Sequence, residues 1–173
     1  MGDHKKERNG GSTISKELES LINKQIVKEF EAAHQYNQMA TYFSGQDVAL
    51  MNFSKYFLKE AKGEYQHAWQ FINFLQSRGG KIRFENIAIL HDQHWNSVME
   101  LMQFHFQMEE SVFEHIKHIR KVASDEGDFN LENFLEQFYD HQHREQFDIS
   151  SHITNLKRLE SSDGLDSQKE LPR

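Results

Sequence analysis

The sequence predicts an all-α protein built as a four-helix bundle, and three observations predict it. Apolar residues recur at steps of three and four over four stretches, each about thirty residues long. The one proline, Pro172, stands next to the last residue, so nothing forces a break inside any of these stretches. Two of the three connections are short and one is long, the pattern of a bundle with one crossover.

Each element has its own signals. Residues 1–11 are polar and glycine-bearing and read as a disordered lead, ahead of a bundle over 12–160 and a polar tail over 161–173. "STIS" followed by Glu17 opens the first helix, with Ser12, Thr13 or Ser15 as its cap, and the helix runs to about Phe43. "SGQD" is a turn whose Asp47 is the expected cap of the second helix, about Val48 to Ser77, which "RGG" at 78–80 stops. Residues 81–93 show no helical period and form the long crossover. The third helix runs from about His94 to Ser124. "DEGD" at 125–128 then returns the fourth, Phe129 to about Leu159, antiparallel beside it.

Composition narrows the function. The formal charge is −7 and no basic face offsets it, which argues against nucleic acid and favours cations as visitors. With no cysteine there is no disulfide framework, and any metal must be held by oxygen and imidazole nitrogen. "MGDHKKERNGGSTIS" lacks the apolar centre of a signal peptide, and Lys6 stands where myristoylation needs Ser or Thr. No apolar run is long enough to span a membrane, so a cytoplasmic protein is expected.

The helical stripes carry the chemistry. The first helix places Ile22, Ile26, Ala33, Ala40 and Phe43 on one face, together with Glu29 and Tyr36. In the second, Phe57, Ala61, Ala68, Phe71 and Ile72 share a stripe with Glu64, extended by Leu50 and Leu75, and His67 follows one turn after Glu64. The third gives Val98, Met102, His105, Glu109, Val112, Ile116, Ile119 and Ala123; the fourth gives Leu131, Leu135, Phe138, Gln142, Glu145, Ile149, Ile153 and Leu156. Every stripe is thus interrupted near its middle, and in an up-and-down bundle the midpoints share one level. No Lys or Arg occupies the stripes, so His67 is the basic partner at hand. Desolvating an unpaired carboxylate costs several kcal/mol. Such groups must be protonated, wetted or bound to cations. Two divalent cations would balance four carboxylates. Carboxylate with imidazole suits iron, manganese or zinc, and Glu-x-x-His sets both donors on one helix face. Ferritin-like dimetal bundles are the known worked case of such a layer.

"INKQIVKEFEAAHQY", "DVALMNFSKYFLKEA", "EYQHA", "RGGKI" and "HITNL" resemble the animal heavy-chain-type pattern of the ferritin family, over roughly residues 16–159. The resemblance implies a ferritin-like four-helix bundle. It also implies an iron-storing subunit with ferroxidase activity, oxidising Fe(II) to Fe(III) with O2 at a di-iron centre. By that resemblance Glu29, Glu64 and His67 would hold the first iron. Glu64 would bridge to a second iron held by Glu109, and Tyr36 would hydrogen-bond within the site. "FLEQFYDHQHRE" fits the bacterial-type spacing, on which Gln142 is the site glutamine and Glu145 a further ligand of the second iron. The animal-type register would put His143 at the glutamine position; the count back from "HITNL" and the stripe both favour Gln142.

The resemblance further implies self-assembly into a twenty-four-subunit cage, alone or mixed with other ferritin subunits. Three departures bear on it. Gly63, Gln66 and Trp69 stand where the family has mineral-seeding carboxylates. At the threefold channel Glu136 fits one acidic position, while Asn133 fills the other with Glu132 beside it. The fifth helix is short or absent, since only "DGLDSQKELPR" remains to form it. The rival readings are a ferroxidase-competent cage that mineralises poorly and a non-enzymatic structural or metal-binding subunit. Of the 11 histidines, His141 and His143 read as surface residues pointing apart, as do His91 and His94 near the crossover. His105 reads as a core histidine, His115 and His118 as solvated, and Trp95 as a packing anchor.

Overall fold

The computed structural model describes residues 14–88 and 95–162. The expectations for the lead 1–11, for His91 and His94, and for the "DGLDSQKELPR" tail fall outside the described residues. The chain divides into two compact units, Met1–Ala88 and Ile89–Arg173, each holding one pair of helices.

In the first unit, α1 spans Lys16–Ser44 and α2 spans Met51–Ser77. Ser15 is the cap of α1, its side chain accepting from the Leu18 amide at 3.1 Å, with Glu17 and Glu19 in the first turn complementing the helix dipole. The predicted stripe Ile22, Ile26, Glu29, Ala33, Tyr36, Ala40 and Phe43 is buried throughout. α2 buries Phe57, Ala61, Glu64, Ala68, Phe71, Ile72 and Leu75, while Leu50 is half-buried. Phe43 locks the pair near the turn, stacking on Phe53 at 4.9 Å and on Phe57 at 5.6 Å.

The start of α2 differs from expectation. Val48 and Ala49 donate back to the Gly45 carbonyl, and Leu50 to that of Phe43, so a closed turn occupies 45–50 before the helix begins. Asp47 is therefore no cap: Leu50 stands at that position with no side-chain bond, and Ala49 takes φ 51°. After α2 the chain turns back along α1. Buried Asn23 donates to the Lys81 carbonyl at 2.9 Å and accepts from the Arg83 amide at 2.7 Å, and Glu19 accepts from the Lys81 amide at 3.1 Å.

In the second unit, α3 spans Val98–Glu126 and α4 spans Phe129–Ser162. Ser97 caps α3 by accepting from the Glu100 amide, so the helix begins four residues later than expected, and Trp95 is buried ahead of it. Gly127 ends α3 in the left-handed conformation, φ 71°, and the amides of Gly127 and Asp128 close on the carbonyls of Ser124 and Ala123. Asp128 then caps α4 through the Leu131 amide. Val112, Ile116, Ile119, Leu131, Leu135, Phe138 and Ile149 are buried as the stripes predict. Val98, Glu145, Ile153 and Leu156 are half-buried.

Candidate metal centre

Each helical pair carries acidic side chains in the middle of its buried face. In the first unit Glu29 and Glu64 are each 1% exposed. Glu29 lies one turn after Gln25, which is fully buried and donates to Glu29 Oε1 at 2.6 Å. The neighbouring carboxylate is Glu64. Burial above all, and then Glu64 through charge and hydrogen bonding, holds the Glu29 carboxyl well above the usual carboxylate range, with His67 and Gln25 opposing more weakly. The charged form of Glu29 is therefore disfavoured where it stands. His67 sits one turn after Glu64, its Nδ1 3.0 Å from Glu64 Oε2; the imidazole is 15% exposed against 1% for the carboxylate. Tyr36, two turns on from Glu29, is fully buried with its ring 5.9 Å from that of Phe57.

The second unit repeats the arrangement. Glu109 is 1% exposed, and Gln142 reaches from α4 to donate Nε2 to Glu109 Oε2 at 2.8 Å. Gln142 Oε1 is buried with no hydrogen-bond partner among the described residues, an acceptor without a donor. A carboxylate oxygen of Glu109 and one of Glu145 lie within 4.8 Å of each other. His143 lies exposed, edge-on to the Phe113 ring, while Gln142 is buried. His105 is buried one turn before Glu109, with Nε2 4.0 Å from Glu109 Oε1. That contact would be an ion pair only with a charged imidazole. Burial first, and His152 second, lower the His105 pKa to about 3, so the ring is neutral and the contact is a polar one.

Among the described residues the buried acidic and basic side chains are Glu29, Glu64, Glu109 and His105, with no Lys or Arg. Excess carboxylate without guanidinium or ammonium is costly to bury, and oxygen-rich donor sets with one or two imidazoles fit transition-metal cations.

Residues 19–159 match the Ferritin family, described as a ferritin-like domain. The chain belongs to the ferritin family. It is 35% identical over 144 residues to the soma ferritin of Lymnaea stagnalis, a match covering 83% of each chain. It is 34% identical over 146 residues to the middle subunit of ferritin from Salmo salar, covering 84% of this chain and 83% of that one. Its fold class is accordingly the ferritin-like four-helix bundle, as the stripes and the sequence blocks predict.

Within this ferritin-family chain two polar residues escaped the sequence reading. Gln25 interrupts the apolar face of α1 one turn before Glu29, and that i, i+4 spacing was its only signal. His141, read as a surface residue, instead turns onto Glu145, its Nε2 2.9 Å from Oε1. The spacing of the pair and the place of its carboxylate on the α4 stripe were visible in the sequence; the turn of the imidazole onto that carboxylate was not.

Proposed function

We propose that this chain is a subunit of a cytoplasmic iron-storage cage that oxidises Fe(II) with O2 at a centre of two irons. The observation that carries the reading is the burial of Glu29, Glu64 and Glu109 to 1% exposure with no buried Lys or Arg among the described residues to neutralise them. Membership of the ferritin family supplies the chemistry that such a layer performs. Iron is here the substrate. Glu29, Glu64 and His67 would hold one Fe(II), Glu109 and Glu145 the other, with Glu64 shared between them. Each Fe(II) gives up one electron and O2 takes both, and hard carboxylate oxygens favour the Fe(III) product. Gln25 orients Glu29, Gln142 orients Glu109, and Tyr36 contributes a buried hydroxyl on the same face as Glu29. Burial and the neighbouring Glu64 disfavour the charged form of the Glu29 carboxyl, and a bound cation would offset that cost.

A second reading, ferroxidase activity with poor mineral storage, rests on a specific observation. Gly63, Gln66 and Trp69 bring no carboxylate to their stretch of α2, and Trp69 is 44% exposed. On α4, Glu136 is paired with Arg120 at 3.1 Å, and that guanidinium also lies over the Tyr139 ring. If Glu136 lines a channel for iron, its charge there is already answered.

The test is oxygen uptake on admitting air to protein loaded anaerobically with Fe(II). A fast phase that saturates near two irons per chain is expected. Glu64→Ala combined with His67→Ala should abolish that phase; an unchanged fast phase would refute the centre. Prolonged loading followed by sizing separates the readings: a growing mineral supports storage, and a stall after a few irons per chain supports the second.

A further inference from the structure

On α4, His141 and Glu145 stand one turn apart with Nε2 and Oε1 at 2.9 Å. A pair at the same spacing occurs on α3, where Lys121 meets Asp125 at 2.8 Å. There both side chains are largely in water, at 73% and 65% exposure, and the pair is an ordinary surface contact. Here the imidazole is 34% exposed but the carboxylate only 13%, with Oε2 buried. The histidine thus reaches from solvent to an acid of the buried layer. The surroundings of that acid are those of a cation position. Glu109 offers a carboxylate oxygen within 4.8 Å, and Gln142, 2% exposed, leaves Oε1 without a hydrogen-bond partner among the described residues. On α2 Glu64 and His67 also pair, three residues apart and through Nδ1 at 3.0 Å, again with the imidazole on the more exposed side.

We propose that His141 is a nitrogen ligand, through Nε2, of the iron that Glu109 and Glu145 hold, so that each of the two irons carries one imidazole. The inference rests on the two-iron reading above. Two donors bound about 2.1 Å from one ion at a right angle lie about 3.0 Å apart, so His141 and Glu145 already hold the spacing of neighbouring ligands. A neutral imidazole adds a donor without altering the charge balance of the carboxylates. It also favours Fe(II) more than another carboxylate would, because nitrogen is the softer donor.

Anaerobic Co(II) is the probe, since it is redox-stable there, coloured and paramagnetic. Wild-type protein should bind two Co(II) per chain and show two strongly shifted imidazole N–H proton resonances. His141→Asn should weaken one Co(II) by tenfold or more, remove one shifted resonance and leave the other, which His67→Asn removes in turn. His143→Asn, two residues on and exposed, should titrate as wild type. The substitution site is part-exposed and helical, and circular dichroism confirms the fold. Paired Co(II) binding with both resonances retained in His141→Asn would overturn the ligand alone. Failure of the wild-type chain to bind Co(II) in pairs, or indifference of binding to Glu64→Gln, would overturn the two-iron reading and this ligand with it.

Discussion

His105 lies 2% exposed on α3, and burial, reinforced by the nearby His152, takes its pKa from 6.5 down to about 3. The groups facing it include Glu109 at 4.0 Å and His152. In the unfolded chain the same imidazole protonates near its ordinary value, so between pH 6.5 and 3 the unfolded state binds more protons. The contribution of this group is full above pH 6.5 and is lost as pH falls, by up to ~1.4 kcal/mol per pH unit. The urea midpoint of the metal-free protein should therefore fall more steeply from about pH 6.5 to about 4.5 in wild type than in His105→Leu. Equal slopes would show that the ring is charged or accessible in the folded state. The helical period put His105, Glu29, Glu64 and Glu109 on buried faces because side-chain direction on a helix follows spacing alone. The rotamers that join Gln25 to Glu29, Gln142 to Glu109 and His141 to Glu145 depend on neighbours from packing, which spacing does not contain.

Helix ends divide in the same way. Ser15 is a side-chain cap that local sequence announces, and Gly127 ends α3 within the predicted "DEGD" turn, whereas α3 starts at the Ser97 cap rather than near His94 as expected. A Cβ at Gly127 would meet nothing within 4 Å, so the cost of Gly127→Ala is conformational alone, about 1 kcal/mol. Chemical denaturation should register that loss with the metal-binding stoichiometry unchanged; a far larger loss would point to a packing role. The start of α2 went the other way. Asp47 has the chemistry of a cap, but the turn over 45–50 already bonds its amides to the carbonyls of Gly45 and Phe43, and the helix begins only at Met51. Phe43 stacked on Phe53 and Phe57 sets that turn, a contact between helices that no local pattern encodes.

Over the full chain, surface and charge bear on assembly. The first unit carries an apolar hollow, lined among others by Phe30, Leu58, Tyr65, Phe84 and Ile87. Leu58 and Tyr65 are each 52% exposed and Phe84 74%, so large apolar side chains meet water there. Under the cage reading a second copy covers it. Leu58→Arg should then shift sedimentation from the assembled species toward small oligomers without loss of helix content; an unaltered assembly would place the subunit contact elsewhere. Among the described residues no helix is long and apolar enough to cross a membrane. The charge of −7 suits a particle that gathers cations.

The order of residues alone was enough for four helices, their apolar stripes and the acidic interruptions within them, because hydrophobic period, caps and breakers act over a few residues and are written locally. Its blocks also pointed to the family. Packing was needed to bury three glutamates to 1% exposure, to set the amide of Gln142, which the stripe already favoured over His143, 2.8 Å from Glu109, and to turn His141 onto Glu145. Those outcomes come from desolvation and from hydrogen bonds between side chains of packed helices, which arise once distant segments meet and not before.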